Sequence, residues 1–180
     1  MKSEKQKKAP KYLEQIKGIV FDIVLPAAVV GIILLCFSSS VVRQTSMQPT
    51  LNDGDYIIVN KINPTNPDIN DIVIFRSDMK DDEGKEKMLI KRVAGLEGDI
   101  ITIDNGKFYR NGKQIKEKYI FKEEIGHVYN FVVPKGHFYA LGDHRENSLD
   151  SRTIGAIPVD RIYGRAILRV YPFSDFGFIK

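Results

Sequence analysis

A serine becomes a nucleophile only when a base lies within hydrogen-bond reach and donors await the oxyanion its attack creates. Ser46, in Thr45-Ser-Met-Gln-Pro-Thr-Leu51, is one such candidate. Read alone, a serine beside Pro-Thr is a turn or cap residue. Of the three histidines, His127, His137 and His144, none falls in a triad motif, and each reads as structural. Lysine is the other available base. Its ordinary pKa of about 10.4 means that acting near pH 8 costs roughly 3 kcal/mol, unless burial removes the charge. Lys91 meets that requirement in Met88-Leu-Ile-Lys-Arg-Val-Ala94. Alternate residues of a strand share a face, so Lys91 joins Leu89 and Val93 on an apolar face and Arg92 points to the other. A lysine snorkelling from a strand end is the alternative. The third cluster is Gly142-Asp-His-Arg-Glu-Asn-Ser-Leu-Asp-Ser-Arg152, a polar loop after a strand. Its Asp/Arg pairs can lock a site, and Ser148 or Ser151 can orient an amine.

These residues need a rigid frame, and the sequence from residue 41 onward reads as β structure. Tyr56–Val59, Asp71–Phe75, Lys87–Val93, Ile100–Ile103 and His137–Leu141 are short and rich in β-branched or aromatic residues. Gly, Asn, Asp or Pro bound each of them. Asn-Gly pairs at 105–106 and 111–112 flank Lys107–Arg110, the strongest short hairpin signal, and predict a small meander. Residues 76–87, RSDMKDDEGKEK, read as a charged hairpin tip. No stretch after residue 41 has helical periodicity. The expectation is a mainly β unit of coiled antiparallel sheets.

The N-terminal part differs. Gly18 to Phe37, GIVFDIVLPAAVVGIILLCF, is twenty residues with the single charge of Asp22, and about twenty helical residues cross a hydrocarbon core of about 30 Å. Asp22, one turn in, reads as reaching the headgroups; Pro26 either kinks the helix or lies near its start. Six lysines, Lys2, Lys5, Lys7, Lys8, Lys11 and Lys17, precede the run, which the positive-inside rule leaves in the cytoplasm. The net charge of +4 and pI near 9.0 therefore point to a membrane and not to nucleic acid. A cleavable leader ending at Ser38–Ser40 is the rival, but the run is long for a leader's apolar centre. Cys36, the only cysteine, lies in this run and excludes an intramolecular disulfide. The expected division is a basic cytoplasmic tail over 1–17, a transmembrane anchor over 18–37 and an extracytoplasmic β-rich catalytic domain over 38–180.

Taken in order, the motifs resemble those of the bacterial type I signal peptidases, the Ser/Lys leader peptidases, in their Gram-positive single-span form. Ser46-Met-Gln-Pro-Thr-Leu51 is similar to S-M-x-P-T-L, and Asn70-Asp-Ile-Val-Ile-Phe75 to G-D-I-V-x-F. Lys91-Arg-Val-Ala-Gly-Leu-Glu-Gly-Asp99 is similar to K-R-V-x-G-x-P-G-D, and Gly142–Arg152 to G-D-N-R-x-x-S-x-D-S-R. The resemblance implies that Ser46 attacks the scissile carbonyl, Lys91 takes its proton, and Ser148 hydrogen-bonds the lysine amine. It also implies supporting pairs, Asp143 with Arg92 and Asp150 with Arg152, and a first oxyanion donor at the Ser46 N–H. Gln44 stands where some members carry a second donor, Ser or Thr; Gln44, Thr45 or a backbone group then fills in. Asn70, Glu97 and His144 replace a Gly, a Pro and an Asn. The implied substrates are the signal peptides of secreted pre-proteins, cut after small residues of Ala-x-Ala type. The peptide binds extended in shallow pockets, with Met47 and Leu89 as walls, at a site facing the bilayer and in reach of export machinery. The aromatic tail Tyr171–Phe178 either rests at the interface or packs on the sheet. No cofactor or metal is called for. A self-cleaving Ser/Lys hydrolase and a non-catalytic anchored β-domain are the competing readings.

Overall fold

A computed structural model describes residue 12 and residues 18–80, 83–120 and 126–179. The chain divides into two compact units, Met1–Cys36 and Phe37–Lys180. In the first, a π-helical turn, Val20–Val24, leads into helix α1, Leu25–Cys36. Leu25 N–H reaches back five residues to the Val20 carbonyl. Pro26, with no N–H to give, stands at the start of α1, where the ordinary i to i−4 ladder is already broken. Residues 18–36 are helical without a break, so the helix does not begin near Pro26. The helical stretch ends at Cys36, one residue before the end of the apolar run. α1 has twelve residues, about 18 Å of rise, and among the described residues no helix is long and apolar enough to cross a membrane. Phe37 belongs to the strand that follows. The lysines of the basic tail lie outside the described residues.

The second unit is built from β1 (Phe37–Val41), β2 (Tyr56–Asn60), β3 (Ile72–Lys80), β4 (Glu86–Leu96), β5 (Ile100–Asp104), β6 (Lys107–Arg110), β7 (Lys113–Gln114), β8 (Val128–Val132), β9 (His137–Leu141), β10 (Ile157–Pro158), β11 (Ile162–Tyr171) and β12 (Gly177–Phe178). A one-turn helix, α2 (Ser151–Ile154), and three short 3-10 turns are its other regular elements among the described residues. The larger sheet runs β1-β2-β11-β3-β4-β9-β10 with β12 beside β11; the smaller runs β7-β6-β5-β8. Among the described residues the strand pairings are antiparallel throughout, so the mainly β reading stands. Both Asn-Gly pairs form two-residue hairpin loops, with positive φ at Asn105, Gly106, Asn111 and Gly112, as a type I′ turn requires.

The charged segment is less of a loop than its composition implies. Residues 76–80 and 86–87 extend β3 and β4, with Arg76 opposite Met88 and Lys80 opposite Glu86. Strands β1, β7, β8, β10, β11 and β12 lie outside the segments the sequence marks as β. β11 crosses β2 so closely that a Cβ on Gly164 would lie 2.6 Å from Val59 and 2.7 Å from the Asn60 carbonyl. That residue breaks the alternation that would have marked the strand.

Three apolar clusters hold the unit. Val73, Phe75, Leu89, Val93, Phe138 and Ala140 pack between the central strands of the larger sheet. Val42, Met47, Leu51, Ile57 and Val59 pack under the segment carrying Ser46. Ala94, Ile101, Ile103, Phe108, Tyr139 and Leu141 join the smaller sheet to β4 and β9. Each fully buried Leu, Ile, Phe or Met is worth roughly 1.5–3 kcal/mol. The clusters thus fix β4 and β9, the strands that carry Lys91 and lead into the polar loop.

Candidate active site

Ser46 follows β1 in an irregular segment pinned on both sides. Val42 N–H donates to the Asp55 carbonyl at 2.8 Å, and Leu51 N–H to the Met47 carbonyl at 2.8 Å. Met47 and Leu51 are fully buried and act as apolar pegs that place Ser46 against β4. Met47 is therefore core, with no surface to offer a peptide, and the expectation that it walls a substrate pocket is corrected.

Lys91 lies in mid-strand, opposite Val73 of β3, and is only 2% exposed. It does not snorkel. Its Nζ donates to Ser46 Oγ at 2.6 Å and to the Ile90 carbonyl at 2.8 Å. Burial pushes the Lys91 ammonium down to about 8; the carboxylates of Asp150 and Asp143 pull the other way, and Arg152 adds to the lowering. Desolvation wins because the side chain is buried and no carboxylate bonds the amine directly. Along the same 2.6 Å line a neutral amine can accept the hydroxyl proton.

The polar loop closes over this pair from β9. Asp143 is fully buried and binds Arg92 through both oxygens, Nε to Oδ1 at 2.9 Å and Nη2 to Oδ2 at 2.8 Å. Thr50 also hydrogen-bonds Asp143. Burial raises the Asp143 carboxyl against the opposing pull of Arg92 and Thr50. Asp150 binds Arg152 in the same two-pronged way, at 2.8 Å and 2.8 Å. Its other contacts are the Gly142 N–H at 3.0 Å and the Arg152 N–H at the start of α2. Arg92 and Lys91, neighbours on β4, thus leave on opposite faces and both end buried.

Gly142 marks the closest approach in the site. A Cβ there would meet the Ser148 side chain and lie 2.6 Å from the Ser46 carbonyl, so no larger residue lets the loop seat against the serine. The Ser46 carbonyl accepts the His144 N–H at 3.1 Å.

Ser148 departs from the expected arrangement. Its Oγ is buried and makes no hydrogen bond among the described residues. The bond to the Lys91 amine is absent because that amine is directed to Ser46 and the Ile90 carbonyl, while the Ser148 side chain packs over Gly142. Ser151, the other hydroxyl of the loop, accepts the Ala140 N–H at 2.9 Å and anchors β9.

Ser46, Lys91, Gln44, Thr45, Leu89 and Asn147 line a cleft of about 430 Å³. Leu89 is shared with an adjoining cavity of about 170 Å³, walled by Val41, Val42, Ile57, Ile74 and Met88. Gln44 has φ 80, a left-handed backbone that is strained for a residue other than glycine, and its N–H is taken by Asp53 at 2.7 Å. Only its side chain can serve the cleft. Thr45 Oγ1 accepts from Asn147 at 2.8 Å, which leaves its own hydroxyl hydrogen to give. A larger cavity of about 780 Å³, lined by Asn70, Asp71, Arg92, Tyr119 and Arg165, holds no serine, cysteine, histidine or lysine; chemistry selects the smaller cleft. Asn70, in the place of a glycine, has φ 74, a conformation asparagine tolerates. Among the described residues no group of His, Cys, Asp or Glu is arranged to hold a metal.

A model of the family described as "Signal peptidase, peptidase S26" matches residues 14–171. The chain belongs to the signal peptidase family. It is 36% identical over 161 residues to "Signal peptidase I" of Bacillus caldolyticus, covering 81% of this chain and 85% of that one. "Probable signal peptidase I-2" of Synechocystis sp. is 31% identical over 182 residues, covering 98% and 82%. "Signal peptidase IB" of Staphylococcus aureus (strain MRSA252) is 33% identical over 157 residues, covering 76% and 79%. Ser46 and Lys91 of this chain are a hydrogen-bonded pair in its smaller cleft.

The sequence missed Thr50, Glu117, Tyr119 and Arg145, all tied into the network behind the loop. Thr50 and Arg145 lie inside motifs already noted. The others left one faint signal: Ile115, Glu117 and Tyr119 alternate with Lys116 and Lys118, so a glutamate shares the inward face of the segment after β7.

Proposed function

We propose that this signal peptidase removes signal peptides from secreted pre-proteins by Ser/Lys acyl-enzyme chemistry. The observation that carries the proposal is the buried 2.6 Å contact between Lys91 Nζ and Ser46 Oγ, beside a base whose pKa burial brings to about 8. Neutral Lys91 takes the Ser46 proton as Oγ attacks the scissile carbonyl, then gives that proton to the leaving amine. Water, deprotonated by the same lysine, hydrolyses the ester and returns the serine. The Ser46 N–H and a side-chain donor from Gln44 or Thr45 hold the oxyanion. Asp143–Arg92 and Asp150–Arg152 fix the loop, and Ser148 engages the lysine amine once substrate has drawn Ser46 away. The cleft and its neighbour, divided by Leu89, suit two small side chains on one face of an extended peptide, in keeping with an Ala-x-Ala preference.

The apolar run 18–37 behind six lysines supports a single membrane anchor with a cytoplasmic N-terminus. The catalytic unit then stands on the extracytoplasmic side of the cell membrane, against the lipid and in reach of the export machinery. The test is to incubate the full chain in detergent micelles with a pre-protein and determine the N-terminus of the product. Cleavage after a small residue at the signal junction is expected. An intact pre-protein, or cuts scattered through its mature part, would contradict the proposal.

A further inference from the structure

Behind the polar loop the chain contributes two residues that the chemistry above does not use. After β7 it runs on as a strap that turns at Lys118 and Tyr119. Ile115 packs on the core shared with the smaller sheet, and its N–H donates to the Phe108 carbonyl at 2.9 Å. The next two inward residues are Glu117 and Tyr119. Glu117 meets Arg145 of the loop at 2.6 Å, with side chains 4% and 1% exposed. Its other oxygen accepts from Tyr119 Oη at 2.7 Å. The Tyr119 ring lies under the Arg92 guanidinium, 3.9 Å from centroid to Cζ.

Both arginines lead directly to the reacting pair. Arg92 adjoins Lys91 on β4 and grips Asp143. Arg145 Nε donates to the Gly142 carbonyl at 2.9 Å, and the Arg145 carbonyl accepts from Arg152 at 2.7 Å. Gly142 is the residue against which the Ser46 carbonyl and Ser148 pack. One strap therefore holds two cations, and those cations hold the loop that seats the nucleophile.

We propose that Glu117 and Tyr119 are positioning residues: a brace from the smaller sheet that sets the alignment of Ser46 with Lys91 through Arg145 and Arg92. The proposal rests on the Ser/Lys reading of the site. A brace of this kind acts on geometry and not on substrate binding. Misplacing reacting groups by about 1 Å can cost about a hundredfold in rate, so its loss is read in kcat.

The experiment compares the full chain with E117A, E117Q, Y119A and the outward control K118A, all in detergent. It measures kcat and KM on a pre-protein, and amide exchange at Gly142 and His144 with β2 as the internal reference. E117A is expected to lose about 10–100-fold in kcat with KM within about twofold. Exchange at Gly142 and His144 should quicken about tenfold or more, while β2 exchanges as before. E117Q, which keeps a carbonyl acceptor for Arg145 and turns an NH2 donor to Tyr119 Oη, should fall between E117A and wild type; K118A should match wild type. If E117A does not fold, Y119A carries the test, with about a tenfold loss of kcat and the same local exchange. The brace is overturned by wild-type kcat in E117A or Y119A, by E117Q no better than E117A, or by exchange that quickens equally in β2. If wild type itself leaves pre-proteins uncut, the functional reading has failed, and the exchange data still decide whether the strap holds the loop.

Discussion

Replacing Lys91 by methionine is expected to abolish activity and, near neutral pH, to make the protein more stable. The buried ammonium is the reason. In the unfolded chain Lys91 titrates at 10.5 and in the folded protein at about 8. The difference, 10.5 − 8, is 2.5 units, and at 1.36 kcal/mol per unit it amounts to about 3 kcal/mol. Below pH 8 both states carry the proton, so the folded state bears the whole cost. Between pH 8 and 10.5 the unfolded state binds more protons, and the stability of wild type rises with pH. Methionine has no such term. Against the gain stand the lost hydrogen bonds to Ser46 and the Ile90 carbonyl, about 1 kcal/mol each or less. The variant should therefore exceed wild type by about 1–2 kcal/mol at pH 7, an advantage that shrinks by about 2 kcal/mol on moving to pH 10. Denaturant unfolding of both proteins at pH 7, 8, 9 and 10 measures it. A variant less stable than wild type at every pH, or a difference that does not move with pH, would refute the claim that Lys91 is held in a site built for its neutral form.

Three other outcomes are expected. The acid limb of kcat/KM should have an apparent pKa near 8: about half of Lys91 is neutral there, against about 0.3% for a lysine at 10.5; a rate still climbing tenfold per unit at pH 9.5 would count against it. G142A should lower stability by about 1–3 kcal/mol and cut activity, because its methyl would enter the Ser148 side chain and the Ser46 carbonyl; thermal unfolding beside the cleavage rate measures both. S148A should unfold at or above the wild-type temperature, since it removes a buried hydroxyl with no partner, and a fall of several degrees would show a resting-state bond.

The sequence was most legible where local rules dominate. Lys91 between Leu89 and Val93 follows from the period of a strand, and both Asn-Gly turns follow from the positive φ such turns demand. The pairing of Ser46 with Lys91 was less accessible to spacing alone, because the two are brought together only when Met47 and Leu51 enter the core. Ordered motifs supplied what spacing lacked. β11 stayed hidden because Gly164, chosen for close strand approach, carries no side chain to show the pattern. Glu117 and Tyr119 were hidden because their partners, Arg145 and Arg92, are 28 and 27 residues away in the chain. The bond from Ser148 to the amine, carried over by resemblance, depends on which way one lysine rotamer turns, and no sequence pattern encodes that in the resting enzyme.

The central claim is that Ser46 and Lys91 work as one unit, and a double-mutant cycle tests it most directly. Initial rates of pre-protein cleavage are measured for wild type, S46A, K91A and S46A/K91A, each checked for native folding. Residues that act in one step are strongly non-additive, so each single variant should lose nearly all activity and the double variant should be no slower than either. Substantial cleavage by S46A or by K91A, or a double variant whose loss is the product of the two single losses, would contradict the account.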